Sequence, residues 1–259
     1  MTPRPAATVA VLRDGPDGLE TLLLLRPVEA EFAPRAQVFP GGRIDDADAD
    51  PAWRELVVLD GADAALAEPD PGAGDHSQLA YVVGAIREVF EETAILLGAQ
   101  GAMPAGWLAD ARERVHRSDR AFIDVIRDEG IRLHPSRLAY FARWITPVGL
   151  PKRYDTRFFA AATTPGHEAV AAAGEIQSLE WLSPSAALAR ADTHDAYTLP
   201  PTRAALTLLQ RYTGVEDAMA RLPGDADLTP ILPRIVSGTQ PGDGEIRVLM
   251  PGDPGYDAP

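Results

Sequence analysis

The 259-residue sequence predicts an α+β fold, strands of mixed orientation alternating with flanking helices. Three observations carry that reading. Two apolar runs near the N-terminus are separated by a turn sequence, one strongly amphipathic helix follows, and further strand and helix patterns then alternate along the chain.

In order, residues 6–13 and 19–26 read as strands, and Asp14-Gly15-Pro16-Asp17-Gly18 between them reads as a turn, which predicts a hairpin. Val38-Phe39 leads into a Pro40-Gly41-Gly42 turn. Residues 49–76 combine a short helix from Pro51 to Leu59 with a Pro/Gly-rich surface loop from Glu68 to Gly74. Ser77 is the expected N-cap of a helix over about 78–97, ended by Gly98 in the left-handed conformation. A helical segment over about 104–129 follows, in two pieces opened by Pro104 and Ser118. Strands are expected near 137–146, 154–162 and 176–182, with short helices at 184–190 and 202–213. Residues 1–213 read as one domain. Residues 214–259 read as an extension rich in Pro and Gly whose Ile246–Met250 run is a candidate closing strand. It is expected to pack on the core or on a second subunit, so a homodimer stays open.

The chemistry concentrates in Arg87-Glu88-Val89-Phe90-Glu91-Glu92. Glu88, Glu91 and Glu92 lie within roughly 100° of one another on a helix, opposite the stripe centred on Val82, Val83, Ile86, Val89 and Phe90. Core packing therefore does not explain them. Like charges at this spacing repel, and a hard divalent cation such as Mg2+ or Mn2+ would turn that repulsion into a binding site. A solvated acidic face is the alternative. Arg87 stands four residues before Glu91, placed to hold it. Gly84 and Ala85 on the same face leave room for a loop to approach closely.

These residues resemble the signature of Nudix hydrolases, G-x5-E-x7-R-E-U-x-E-E-x-G-U, with U a bulky aliphatic residue. Arg87, Glu88, Val89, Glu91, Glu92 and Ile95 match in place, Gly42 matches the opening glycine, and Asp48 falls where the first Glu is expected. Ala94 replaces the later Gly. Between Asp48 and Arg87 lie 38 residues where the signature has 7, so the box carries an insertion of 31. The resemblance implies an α/β/α sandwich around a mixed sheet. It also implies a metal site formed by Glu91, Glu92, the Gly41 carbonyl and Glu88, with Glu88 as ligand or general base. Arg87 would orient the carboxylates or, less favoured, touch the substrate phosphate. A further carboxylate from a later loop is expected, Glu175 first, then Glu168 and Glu180.

Composition excludes several other classes. The net charge of −14 opposes a nucleic-acid partner, because counterion release needs a basic surface. No stretch approaches the length of a membrane span, and no secretory signal opens the chain, so a cytoplasmic protein is expected. With no cysteine there is neither a thiol nucleophile nor a Cys-built zinc site. The five histidines form no H-E-x-x-H pattern, and no G-x-x-x-x-G-K-[ST] phosphate loop occurs.

The wider pattern from Leu25-Arg26 through Phe39-Pro40-Gly41-Gly42-Arg43-Ile44-Asp45 to Trp53, with Tyr154-Asp155-Thr156-Arg157-Phe158-Phe159, is similar to the Nudix branch containing acyl-coenzyme A diphosphatases. That branch also carries an insertion inside the box. The resemblance implies a small-molecule diphosphate substrate, coenzyme A or its thioesters. Arg26, Arg35, Arg153 and Arg157 are candidates for the 3′-phosphate. Hydrolysis of ADP-ribose, a dinucleotide or a nucleoside triphosphate is the alternative within the same chemistry, and a non-catalytic metabolite sensor is the alternative outside it. The tryptophans read as core or rim packing, with Trp53 also a candidate to stack on a base.

Overall fold

The computed structural model describes residues 2–29, 35–59, 77–99, 106–118, 121–163, 168–172, 174, 176–192, 197–237 and 246–257. The predicted hairpin forms from β1 (Arg4–Gly15) and β2 (Gly18–Leu25), which pair antiparallel down to Gly15 opposite Gly18. β3 (Ala36–Val38) and β4 (Gly41–Arg43) flank the Pro-Gly-Gly turn. A short 3-10 turn, Asp46–Ala49, and α1 (Trp53–Leu56) open the insertion, whose Glu68–Gly74 run lies outside the described residues. Then come α2 (Gln78–Thr93), α3 (Trp107–Val115), α4 (Ala121–Asp128), β5 (Leu138–Ile145), β6 (Tyr154–Ala162), β7 (Ser178–Leu182), α5 (Pro184–Asp192), β8 (Tyr197–Thr198) and α6 (Pro200–Leu209). The chain closes with α7 (Val215–Asp225), β9 (Arg234–Ser237) and β10 (Ile246–Leu249). Pro104 lies outside the described residues.

Among the described residues, eight strands form one sheet in the order β5-β6-β1-β2-β3-β8, with β4 on β1 and β7 on β2. It is mixed: β1 runs parallel to β6, and β3 parallel to β8, while the other pairs are antiparallel. Because successive strand residues face opposite sides, β1 feeds two cores. Val9 and Val11 join Val83, Ile86, Val89 and Phe90 of α2, with α3 and α4 behind. Ala10 and Leu12 join Leu206 and Leu209 of α6 and Ala218 and Leu222 of α7. The result is the expected sandwich of helices on both faces.

Three expectations are corrected. Ser77 caps α2 as predicted, its hydroxyl accepting from Ala80 N, but the helix stops at Thr93 and does not continue to Leu97. Ala94 itself takes the left-handed conformation, φ 59°, and the chain turns so that Ile95, Leu96 and Leu97 are buried in the core. The extension also holds a helix that its Pro and Gly content concealed. α7 packs on this chain's own core, with its first amide (Val215 N) donating to Asp14 Oδ1 in the hairpin turn at 2.8 Å. Finally, of the two readings of Trp53, core packing holds and stacking on a base does not. Trp53 is 1% exposed, its ring is 5.5 Å from Phe122, and its Nε1 donates to Ala47 O at 2.9 Å.

Candidate active site

The site forms where the glycine turn lies over the second half of α2. The turn is tied to β1: Val9 N donates to Pro40 O at 2.9 Å, Thr8 Oγ1 donates to the same oxygen at 2.8 Å, and Ala7 pairs with Gly42. Gly41 is required by space, whereas Gly42 leaves the Glu88 carboxylate in its place. A Cβ on Gly41, whose φ is 152°, would meet Ala7 O at 2.3 Å; a Cβ on Gly42 would meet the Glu88 carboxylate at 2.4 Å. Gly84 makes the mirror-image concession from the helix, since a Cβ there would meet Ile44 Cδ1 at 2.6 Å and Asp48 Oδ2 at 2.9 Å. The small residue read on the acidic face thus admits the loop that follows the turn.

Arg87 closes the arrangement. Its Nε donates to Asp48 Oδ1 and its Nη2 to Asp48 Oδ2, both at 2.9 Å, a bidentate pair. Nη2 also donates to Arg43 O at 2.9 Å, and Nη1 donates to Glu88 Oε1 at 3.0 Å and Glu91 Oε2 at 3.2 Å. A guanidinium has five N–H donors, and these protein acceptors engage all five. Asp45, 3.3 Å from Nη2, is a fourth carboxylate on the same cation, one the sequence reading did not single out. Its signal was its position three residues before Asp48, whose Oδ2 accepts from Asp45 N at 2.9 Å.

Four carboxylates face Arg87, and the second cation, Arg43, is exposed and reaches only Asp45, at 3.7 Å, so the buried negative charge is incompletely compensated. Burial pushes Glu88 up to about 7, against the pull of Arg87 and with the repulsion of Glu91 adding to it. Burial likewise raises Glu91 and Asp48, in both cases opposed by Arg87. For Arg87 burial acts downward, but the Asp48 hydrogen bonds and the neighbouring carboxylates outweigh it, so it stays charged. Excess buried negative charge on hard oxygens is what a divalent cation binds, so the donor set fits magnesium or manganese. Among the described residues no three such side chains already converge as a finished cage. Glu92 reaches the glycine turn, its Oε2 accepting from Gly41 N at 2.8 Å, a bond that leaves the carboxylate further acceptor positions for a metal.

The remaining candidates are scattered. Glu175 lies outside the described residues, Glu168 is exposed, and Glu180 on β7 is paired with Arg190. Arg26 and Arg35 sit where β2 meets β3, with Arg26 N donating to Ala36 O at 3.0 Å. Arg153 lies across β1 from them, its Nε on Thr146 O at 3.0 Å. Arg157 is 1% exposed on β6, its guanidinium 3.7 Å from the centre of the Tyr81 ring. Arg157 also lines a cavity of about 270 Å³ beside Tyr140, Gln78 and Met219.

A glycine turn laid over a helix whose arginine gathers carboxylates, on a mixed sheet between helices, is the architecture of Nudix hydrolases. A solved Nudix hydrolase from Alicyclobacillus acidocaldarius is similar over 86% of this chain and 97% of its own, at 26% identity and a TM-score of 0.73. The family model described as the NUDT19 Nudix domain matches residues 5–209, and the chain belongs to that family. Among curated relatives, acyl-coenzyme A diphosphatase NUDT19 of Gallus gallus is 28% identical, covering 93% of this chain and 74% of that protein. The Homo sapiens protein of the same name is 27% identical, covering 98% and 76%. No helix of the described residues is long and apolar enough to cross a membrane.

Proposed function

We propose that this Nudix hydrolase cleaves the diphosphate of coenzyme A or acyl-coenzyme A in a magnesium- or manganese-dependent reaction. The observation that carries the metal-dependent chemistry is the buried carboxylate group around Arg87, with Glu88 raised to about 7. The names of the curated relatives supply the substrate class.

Glu88, Glu91, Glu92 and the Gly41 carbonyl are the groups that would hold the cation. When bound it supplies charge neutralisation on the phosphoryl oxygens and a more acidic water. Arg87 keeps the carboxylates in register and, with its five donors engaged, works through them and not on the substrate. Glu88 serves either as a ligand of that cation or as the general base that takes the proton of the attacking water, the two roles the family resemblance gives it. Glu175 is the loop carboxylate assigned to assist. Arg26, Arg35, Arg153 and Arg157 are the cations available for the 3′-phosphate, Arg157 only through the cavity it lines. Water adds across the P–O–P bridge, releasing 3′,5′-ADP and (acyl-)4′-phosphopantetheine.

The test is incubation with coenzyme A, an acyl-coenzyme A, ADP-ribose and a dinucleotide in magnesium or manganese, with products identified by mass. Cleavage of the coenzyme A compounds is expected. ADP-ribose split while coenzyme A stays intact overturns the substrate assignment. Glu91→Gln and Glu92→Gln should each lower turnover by about 100-fold or more at unchanged circular dichroism, and full activity in both would overturn the site assignment.

A further inference from the structure

The last turn of α2 carries Glu91 and Glu92, and a terminal helical turn frays unless its carbonyls find partners. Here all four are occupied. Phe90 O accepts from Ala94 N at 2.9 Å, Glu92 O from Ala172 N at 3.1 Å, and Thr93 O from Val170 N at 2.8 Å. Glu91 O accepts from Arg112 Nε at 2.6 Å. Arg112 belongs to α3, in the helical segment that follows the box, and is buried at 9% exposure. Its Nη1 donates to Val170 O at 2.8 Å. One guanidinium thus joins the backbone of α2 to that of residues 168–172, which already bond to the next two carbonyls of the same turn. A cation at a helix C-terminus also meets the favourable end of the helix dipole.

We propose that Arg112 is a positioning residue of the diphosphatase site. It locks residues 168–172 onto the last turn of α2, so that the backbone carrying Glu91 and Glu92 and the backbone at Val170 and Ala172 are held as one unit. The inference rests on the diphosphatase reading above. It is specific to arginine: a lysine ammonium lacks the planar fork that meets two carbonyls at once. The catalytic stake is geometric, because a displacement of about 1 Å at a reacting centre costs up to about 100-fold in rate.

The experiment uses full-length Arg112→Ala, Arg112→Lys and Arg112→Gln with amide hydrogen exchange, thermal midpoints and steady-state kinetics on the substrate the wild type cleaves. Faster exchange at Val170 and Ala172 is expected, with kcat down about tenfold or more, KM within about twofold, and part of kcat restored to the alanine variant by free guanidinium. Unchanged exchange at those amides, or unchanged kcat, in a folded variant overturns the proposal. So does a loss of kcat that merely follows the loss of folded protein and is not rescued. If the alanine variant does not fold, the lysine variant is judged on exchange and kcat by the same criteria. A wild type inactive on every diphosphate removes the functional reading, while the exchange measurement still decides whether Arg112 fastens the segment.

Discussion

Glu88→Gln should change how stability depends on pH before any substrate is involved. The carboxylate sits under Gly42 with 15% of its side chain exposed and accepts one hydrogen bond from Arg87. Burial raises it to about 7 from an ordinary 4.5. That difference corresponds to about 3 kcal/mol. A carboxyl raised on folding contributes stability that is complete below the unfolded value and is lost as pH climbs through the folded value. The metal-free wild type should therefore lose about 3 kcal/mol between pH 4.5 and pH 7 from this group, with a slope near 1.4 kcal/mol per pH unit in mid-window. Glutamine is of similar shape and still accepts from Arg87, so the variant should keep only the residual slope from Glu91 and Asp48, which burial raises in the same sense. The assay is urea unfolding in a chelating buffer from pH 4.5 to 8, repeated at pH 8 with magnesium. The added ion should stabilise the wild type more than the variant. Superimposable metal-free curves for the two proteins would refute the reasoning.

Two further expectations separate stability from activity. Gly41→Ala strikes backbone at Ala7 and Thr8 and should destabilise by several kcal/mol, whereas Gly42→Ala strikes the movable end of Glu88. Turnover in the Gly42 variant should accordingly fall about tenfold or more with little change in melting temperature, and equal behaviour of the two variants in both measurements would contradict the geometry. Trp53→Phe leaves Ala47 O without its indole donor and should cost about 1–3 kcal/mol in urea unfolding at unchanged KM. A raised KM would return Trp53 to the substrate.

What sequence made legible followed from periodic or local rules. The alternating pattern gave the hairpin, Ser77 gave the start of α2, and the i, i+4 spacing placed Arg87 on Glu91. What it concealed depended on partners distant in the chain. α2 stops at Thr93 because Arg112, Val170 and Ala172 satisfy its last carbonyls and because Ile95, Leu96 and Leu97 are drawn into the core. That gain offsets the strain of a left-handed Ala94. Arg112 left no signature, since its contacts are backbone carbonyls that any residue supplies. Trp53 and Arg157 were read from polarity and position, but burial against Phe122 and Tyr81 decides what they touch.

The long insertion poses the remaining physical question, how a signature split between Asp48 and Arg87 still closes into one site. Loop-closure entropy grows only as the logarithm of length. Lengthening the connection from 7 to 38 residues costs about 1.5 kcal/mol even if every added residue were counted as free chain. The structure reduces that further by anchoring the first part of the insertion: Trp53 is buried, Leu133 N donates to Leu56 O at 3.0 Å, and Val58 N donates to Leu133 O at 2.8 Å. Against the cost stand two charge-assisted bonds from Arg87 to an Asp48 that is 2% exposed, each worth about 1.5–3 kcal/mol. The aspartate is one methylene shorter than the glutamate of the family signature, and the loop makes up the distance by seating itself against Gly84, where any larger residue would collide with Asp48 and Ile44. The glycine in α2, the shortened acid and the arginine are thus one mechanical unit, and it holds the site together across the interruption.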